Sequence, residues 1–555
     1  MVVAAFAVVA PRSKAQFVPM MRASVDSTGV EGDGFCSWTW ISGDGRVVAF
    51  ESAATNLVAG DTNERNDVFA HDRMTGITEC VSVGRNGVPG NGGGGALLGV
   101  APPSISADGR YVVFASDSTN LIAGRKCSPF QLYVRDRTLD TTEMVSVDSA
   151  GTEGDFYSTF GTISPDGRYV AFASWSTNLV VGDTNQQMDV FLRDRTAGTT
   201  ELLSVDAAGT LGDGPSDFPV LTSDGTIVAF SSDATNLIPN DTNGCRDAFV
   251  CTLATRTLER ISVDSSGAEG NSHSGATSIS ADGGIVAMNS LATNLVPGDT
   301  NGVVDVFIHD RSTGTTERVS VDSSGVEGDS LSLDSSISAD GRYVAFTSWA
   351  TNLVANDTNN ARDVFLHDRT SGFTTRESVD GSGAEANGET DYFPSLSADG
   401  KVLSFVSWAT NLVSGDANGV KDVFVRDNHG ASWTNYGTGL PGTNGVPSFT
   451  SSADPVLGTT ITLDLANSSG APTVGVVFAG LQRATIHSNL GGDLLVLPTW
   501  TLPISFSYGN NQFAWSISAD PTLAGAIVDL QAVEADSGAL KGVSFTAGLE
   551  LVIGL

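Results

Sequence analysis

The pattern Asp-x-Asn-x-x-x-Asp gathers the side chains of this sequence best suited to holding a metal ion. It occurs six times, as Asp61/Asn63/Asp67, Asp183/Asn185/Asp189, Asp241/Asn243/Asp247, Asp299/Asn301/Asp305, Asp357/Asn359/Asp363 and Asp416/Asn418/Asp422. Calcium takes roughly six to eight oxygen ligands in a flexible shell, and carboxylates, an amide and backbone carbonyls in one short loop can supply them. Magnesium, zinc and the transition metals fit less well, since no His or Cys joins the pattern. The same residues have a second use. Asp and Asn side chains accept hydrogen bonds from nearby backbone N–H groups and so fix turns. The spacing is consistent with either use, and Ca2+ is the one cofactor it points to.

A second candidate set is aromatic. Trp175, Trp349 and Trp408 stand at one position of a repeat whose other copies hold Ala53, Asp117, Asp233 or Leu291. A position that varies while its neighbours recur is a candidate ligand contact, and an indole face stacks on sugars or peptides. Packing beneath a loop is the alternative. Further acids at Glu31/Asp33, Glu153/Asp155, Asp213, Glu269, Glu327/Asp329 and Glu385 read as a solvated rim. One copy breaks the acidic pattern: Gly124-Arg125-Lys126-Cys127-Ser128 replaces it, after an expanded Gly90-Asn91-Gly92-Gly93-Gly94-Gly95. That departure is either a distinct binding spot or a tolerated loop insertion.

No catalytic set stands out. His71, His309 and His367 share a repeat position with Arg135, Arg193 and Arg426, which marks them as structural, while His273, His429 and His487 fall in unrelated places. Nucleophile-elbow, H-E-x-x-H and P-loop motifs are missing from the sequence. Paired carboxylates could serve glycoside hydrolysis, but sixfold repetition of the acids argues for structure over one unique catalytic pair.

The elements that position these residues follow from the repeat. Thr-Asn-Leu recurs at Thr55, Thr119, Thr177, Thr235, Thr293, Thr351 and Thr410, at spacings of 64, 58, 58, 58, 58 and 59. Each unit reads as four strands. An inner strand ends at a Ser-x-Asp-Gly tight turn; then come Arg342 to Phe346, a long loop, Asp363 to Leu366, a polar turn at Gly372, and an outer strand ending Ser378-Val379-Asp380. One such unit cannot bury its own faces, but radial repetition makes a β-propeller. The seventh unit lacks a Ser-Val-Asp strand, and an unclaimed Ala23-Ser24-Val25-Asp26 precedes the first. The expectation is seven four-stranded blades with this N-terminal strand closing the last, which would leave no exposed edge. Alternating strand direction puts both long loops of every blade on one face, the expected binding face.

Ser164-Pro165-Asp166-Gly167-Arg168-Tyr169-Val170-Ala171-Phe172 resembles the WD40-like (PD40) propeller repeat of TolB-type proteins. The resemblance covers about residues 20–428 and implies the fold, not an activity; the α/β domain that precedes the propeller in TolB is missing. The acidic loops resemble the start of an EF-hand loop, without its bidentate Glu or its third close acid. Residues 429–445 are a Gly/Pro-rich linker, and 446–555 read as a β-sandwich, similar to the C-terminal domain of some exported bacterial proteins.

Charge narrows the partners. The chain has 555 residues with 63 acids against 29 bases, a net of −34, yet only 17% of residues are charged. The imbalance is a shortage of Lys and Arg. Such a field repels phosphate backbones and anionic lipid, which excludes nucleic acid; no apolar run is long enough to span a membrane. The 40% apolar content supports a packed core. Residues 1–15, with the apolar run Met1 to Ala10 and small residues at Ser13 and Ala15, read as a signal peptide without its basic start. Five cysteines leave one unpaired, and Cys245 and Cys251 sit too far apart along a strand to pair with each other. The expectation is a secreted, periplasmic or cell-surface propeller. It would bind a glycan or protein without catalysis, calcium-stabilised; the alternatives are a propeller hydrolase or lyase acting on polysaccharide or peptide, and a purely structural surface component.

Overall fold

A computed structural model shows an all-β chain. The structure describes residues 20–555 apart from 85–86, 95–101, 126–128, 382, 392, 428–431, 437–439, 442, 445, 452–459, 470, 481–482, 488–492, 497–499, 507–509, 517–526, 540–542, 547 and 553–555. The expected signal peptide, Gly95, Lys126 to Ser128 and much of the linker lie outside the described residues. The chain divides into two compact units, one of them Met20–Asp427 and the other containing Asn428–Leu555.

The first unit holds seven four-stranded antiparallel sheets among the described residues, numbered here 1 to 7 in chain order of their first strands. Sheet 3 is typical: Ser158–Ile163, Tyr169–Ser174, Asp189–Asp194 and Thr199–Leu202, each strand paired with the next. Its middle strands are buried on both faces, which is why they read as unbroken apolar runs rather than alternating ones. Phe172 and Phe191 stack at 5.6 Å within sheet 3 and pack with Val113 and Leu132 of sheet 2. The sheets therefore share cores pairwise, and one of these cores joins Val48 and Phe50 of sheet 1 to Val406 and Val425 of sheet 7.

A chain of hydrogen bonds links the tight turns from sheet to sheet. Asp44 N–H donates to Ala107 O, Ala107 to Pro165, Ser223 to Ala281, Ala281 to Ala339, Ala339 to Ala398, and Ala398 back to Gly43. The one missing link falls at Pro165, whose ring nitrogen carries no proton. At the same turns glycine is required: Gly167 has φ of +75°, and a Cβ there would meet Tyr111 Cδ2 of sheet 2 at 2.2 Å.

The last sheet is closed by the N-terminus, three residues earlier than expected. Met20–Arg22, not Ala23 to Asp26, pairs antiparallel with the strand Asp422–Asp427, in register Met20↔Arg426 and Arg22↔Phe424. The same offset holds elsewhere. The fourth strand of sheet 6 is Phe373–Arg376, and Ser378-Val379-Asp380 follows it, with Val379 bridging Glu385 across the loop to sheet 7. Ser-Val-Asp recurs because its serine makes side-chain bonds, not because it lies in the ladder.

Thr-Asn-Leu also recurs for a structural reason. Asp33 accepts from Thr55 N–H at 2.6 Å and from its hydroxyl at 2.8 Å; Asn56 donates to Glu31 O at 2.8 Å, and Leu57 is buried. Asp155, Asp213 and Asp329 hold Thr177, Thr235 and Thr351 in the same way. Those rim acids therefore pin the sheet-to-sheet loops.

In the second unit the strands form antiparallel sheets of six, three and two strands among the described residues. The central strand of the largest, Ile527–Ala535, pairs with Thr473–Gly480 and Gly548–Val552.

Candidate functional site

The six acidic motifs share one hydrogen-bond frame. In sheet 3, Asn185 Nδ2 donates to Asp189 Oδ2 at 2.9 Å and to Gly212 O at 3.1 Å, while Ser204 Oγ donates to Asp189 Oδ1 at 2.5 Å. Asn63/Asp67/Ser82, Asn243/Asp247/Ser262, Asn301/Asp305/Ser320, Asn359/Asp363/Ser378 and Asn418/Asp422/Ser24 repeat it. The second Asp of each motif is thus fully buried and tied to the serine of Ser-Val-Asp.

The first Asp of each motif divides the sheets into two kinds. In four of them the last residue of the fourth strand is an arginine that reaches into the motif. Arg260 Nη1 lies 2.7 Å from Glu269, 3.2 Å from Asp247 and 3.7 Å from Asp241. Those three acids hold oxygens within 4.8 Å of one another, so a guanidinium already supplies the positive charge there. Arg318 sits likewise among Glu327, Asp305 and Asp299, Arg376 among Glu385, Asp363 and Asp357, and Arg22 among Glu31, Asp422 and Asp416. In sheet 2, where Gln131 replaces the second Asp, Arg125 enters from the loop to pair with Glu153 at 3.1 Å. Sheets 1 and 3 have neither partner: Cys80 and Leu202 replace the arginine, and Pro89 and Leu211 replace the glutamate. Asp61 Oδ1 and Asp183 Oδ1 are buried without a hydrogen-bond partner. Oxygens of Asp241, Asp299 and Asp416 also lack one, but each of these acids has its arginine 3.4–3.7 Å away. Burial, reinforced by Asp189 and Asp155, pushes the Asp183 carboxyl up to about 6.

The histidines at the shared Arg position are structural. His71, His309 and His367 are buried and place Nδ1 2.9 Å from the hydroxyls of Thr78, Thr316 and Thr374; burial lowers their pKa. Cys36, Cys80, Cys245 and Cys251 are free thiols, and burial pushes those of Cys36 and Cys80 up to about 12, so neither is reactive.

The groups that do not repeat converge on the inner strands. A bulge interrupts the pairing of the inner strands of sheets 1, 3, 4 and 6, and there Trp38, Phe160, Phe218 and Asp334 adopt φ between +49° and +53°, as Phe393 just ahead of the inner strand of sheet 7 does at +60°. Such a backbone costs an L-residue about 1–2 kcal/mol, and here it turns side chains inward. Phe160 lies tilted against Phe218 at 4.0 Å, Phe218 stacks on Phe393 at 6.3 Å and Phe393 lies tilted against Trp38 at 5.2 Å, linking sheets 3, 4, 7 and 1. Beside these rings lies a cavity of about 350 Å3, bordered among others by Phe160, Phe218, Arg246, His273, Asp334 and Phe393.

One set of ionisable residues borders this cavity through Arg246 and His273, and a second set lies on sheets 6 and 7. On sheets 4 and 5, Arg246 pairs with Asp217 and, at 2.8 Å, with Asp233, and its backbone N–H donates to His273 Nδ1 at 3.0 Å. Burial lowers the Arg246 pKa to about 10. On sheets 6 and 7, Asp391 bridges Arg362 at 3.2 Å and Lys421 at 2.5 Å; Arg362 lies over Trp349 at 4.6 Å and Lys421 over Trp408 at 5.4 Å. Asp334 is 7% exposed, and its Oδ2 has no hydrogen-bond partner. Burial, reinforced by Asp391 and offset by Arg362, pushes its carboxyl up to about 7.

The sequence-predicted tryptophan position thus belongs to the same region in part. Its Leu291 borders the cavity and its Asp233 pairs with Arg246 of the cavity wall, Trp349 and Trp408 lie under Arg362 and Lys421, and Trp175 and Trp408 are 40% and 48% exposed. Sequence reasoning missed Arg246, Arg362 and Lys421. They occupy the residue before the third strand, a position that holds Asn66, Phe130, Met188 and Val304 in other sheets. The variability test that singled out the tryptophans would have found them. Asp334 carried no such signal, because inner strands vary throughout.

No family model and no curated protein matches the chain. Among solved structures it is similar to a TolB-type protein from Agrobacterium tumefaciens, at 16% identity over 59% of this chain and 88% of that one, with a TM-score of 0.32. It is also similar to a GH74 xyloglucanase from Xanthomonas campestris (9% identity, 96% and 74% covered, TM-score 0.40) and to a periplasmic gluconolactonase from Pseudomonas aeruginosa (16%, 71% and 96%, 0.32). The repeated four-stranded antiparallel sheets fit a propeller.

Proposed function

We propose that this chain is an exported seven-bladed β-propeller with a C-terminal β-sandwich, acting as a non-enzymatic binding module for an extracellular glycan or protein. The observation that supports it is the cavity beside the inner strands, where a mostly repeated architecture becomes unrepeated. Its walls are apolar rings with a few convergent polar groups, the usual make-up of a ligand site. Arg246, held by Asp217 and Asp233, offers a fixed donor at its wall, and Trp408, 48% exposed beneath Lys421, offers a further aromatic surface. Export is read from residues 1–15.

The test is a glycan array and a peptide library probed with the intact chain, then titration of any hit against Trp408→Ala and Arg246→Ala. Truncating an aromatic stacking residue should weaken a true ligand at least tenfold. Hits bound equally well by both variants would remove the cavity from the reading.

A second reading has one observation behind it. Asp334 is a buried carboxyl held near neutrality with a free oxygen at the cavity, the condition for a general acid or base. A hydrolase or lyase acting on polysaccharide or peptide would show turnover on the same panel, lost in Asp334→Asn with folding intact. Binding without turnover would leave the module reading standing.

A further inference from the structure

We infer that this protein binds two calcium ions, one at Asp183/Asp189 in sheet 3 and one at Asp61/Asp67 in sheet 1, in the places that arginine side chains fill in four other sheets. This inference goes beyond the proposed ligand site and is independent of it. The argument is an internal comparison of seven copies of one structure. In sheets 4, 5, 6 and 7 the motif's two carboxylates face a guanidinium, which also reaches toward the carbonyl of the residue before the first Asp: Arg318 Nη2 to Gly298 O, and Arg260 Nη2 to Asn240 O, both at 3.4 Å. In sheet 2 Arg125 supplies the charge, and the second carboxylate is replaced by the neutral Gln131.

Among the six sheets that keep both aspartates, arginine and glutamate therefore come and go together, nine residues apart; sheet 2 has Met144 and Glu153 at these positions and pairs the glutamate with Arg125. Where Arg22, Arg260, Arg318 and Arg376 are present, Glu31, Glu269, Glu327 and Glu385 are too. Sheets 1 and 3 lack both but keep both aspartates. Asp183 is 8% exposed, and its Oδ1 has no partner; Asp189 is fully buried beside it. Two carboxylates so placed require a positive charge, because an unpaired buried charge is costly. The donors common to the two sites are carboxylate and backbone carbonyl oxygens, with no imidazole. Hard oxygen ligands in a flexible loop select calcium over zinc or copper, and the loop's adaptability favours it over magnesium.

The experiment is equilibrium dialysis of the full chain against radioactive calcium chloride at about 1–10 mM, the range in which extracellular calcium modules fill. Two ions per chain are expected. Leu202→Arg should bind one and the double variant Cys80→Arg/Leu202→Arg none, because each new side chain can supply the missing charge. Calcium at 100-fold above its Kd should raise the melting temperature of the native chain by about 3 °C per site, and Asp183→Asn should lose half of that rise. If an arginine variant fails to fold, the native stoichiometry and Asp183→Asn still decide. No bound calcium would overturn the inference. So would six ions, or two ions retained in the double arginine variant.

Discussion

Replacing Arg318 by leucine should remove the cation from a buried set of three acids and destabilise the first unit more than any surface ion pair could. The Arg318 side chain is 9% exposed, and Asp305, Asp299 and Glu327 are 0%, 3% and 18% exposed. Breaking a buried pair from one side leaves an uncompensated charge and costs about 3–5 kcal/mol. For a unit of about 400 residues, that corresponds to a fall in melting temperature of about 4–6 °C. The pH dependence gives the mechanism. Burial raises the pKa of both Asp299 and Asp305 in the folded state, with Arg318 opposing it. A carboxyl whose folded pKa lies above its unfolded value costs stability as pH climbs from near 3.8 through the folded value. Without Arg318 both pKa values rise further. The gap between native and variant chains should therefore be widest at neutral pH and narrow as pH falls toward the unfolded carboxyl value. Differential scanning calorimetry at several pH values measures both. A fall below about 1 °C, or a gap that does not change with pH, would refute the reasoning that this guanidinium is the motif's internal cation.

Other outcomes test neighbouring parts of the structure. Arg168→Ala, which removes an ion pair to Asp194 from a side chain 44% exposed, should lower the melting temperature by less than about 1 °C in the same calorimetry. Gly167→Ala combines φ of +75° with a Cβ 2.2 Å from Tyr111, whereas Gly182→Ala has φ of +93° and open space. Denaturant titration should show a loss of about 1 kcal/mol for Gly182→Ala and clearly more for Gly167→Ala. Asp334 has its folded pKa raised to about 7, so its ionisation lowers stability as pH rises from about 4 to 7. Asp334→Asn should flatten the stability profile over that window by on the order of 2–4 kcal/mol, and an unchanged profile would mean the carboxyl is hydrated.

The repeat and the acid motifs were legible in the sequence to different depths. Thr55 to Thr410 gave the repeat by spacing alone, and His71, His309 and His367 were recognisable as structural from their exchange with arginine. The fourth-strand boundary was misplaced because Ser-Val-Asp recurs as strongly as a ladder residue. Its serine bonds the third-strand aspartate, and a side-chain bond leaves the same periodic trace as a strand. The Arg22, Arg260, Arg318 and Arg376 position was readable in principle, since each arginine precedes its glutamate by nine residues, but only the sheet register showed that it points at an aspartate 13 to 19 residues earlier in the chain or, for Arg22, almost 400 later.

Local pattern alone determined that this chain is a repeat of four short strands with pinned loops, because every bond that makes one sheet joins residues within one period. Ring closure is of another kind. Met20–Arg22 meets Asp422–Asp427 across most of the chain, and Phe218 meets Phe393 about three periods away. What collects at the inner strands is set by which residues fail to repeat, and periodicity carries no information about them. Only the tertiary structure brought Arg246, His273 and Asp334 around one cavity and separated the two cation-lacking motifs from the four that carry an arginine.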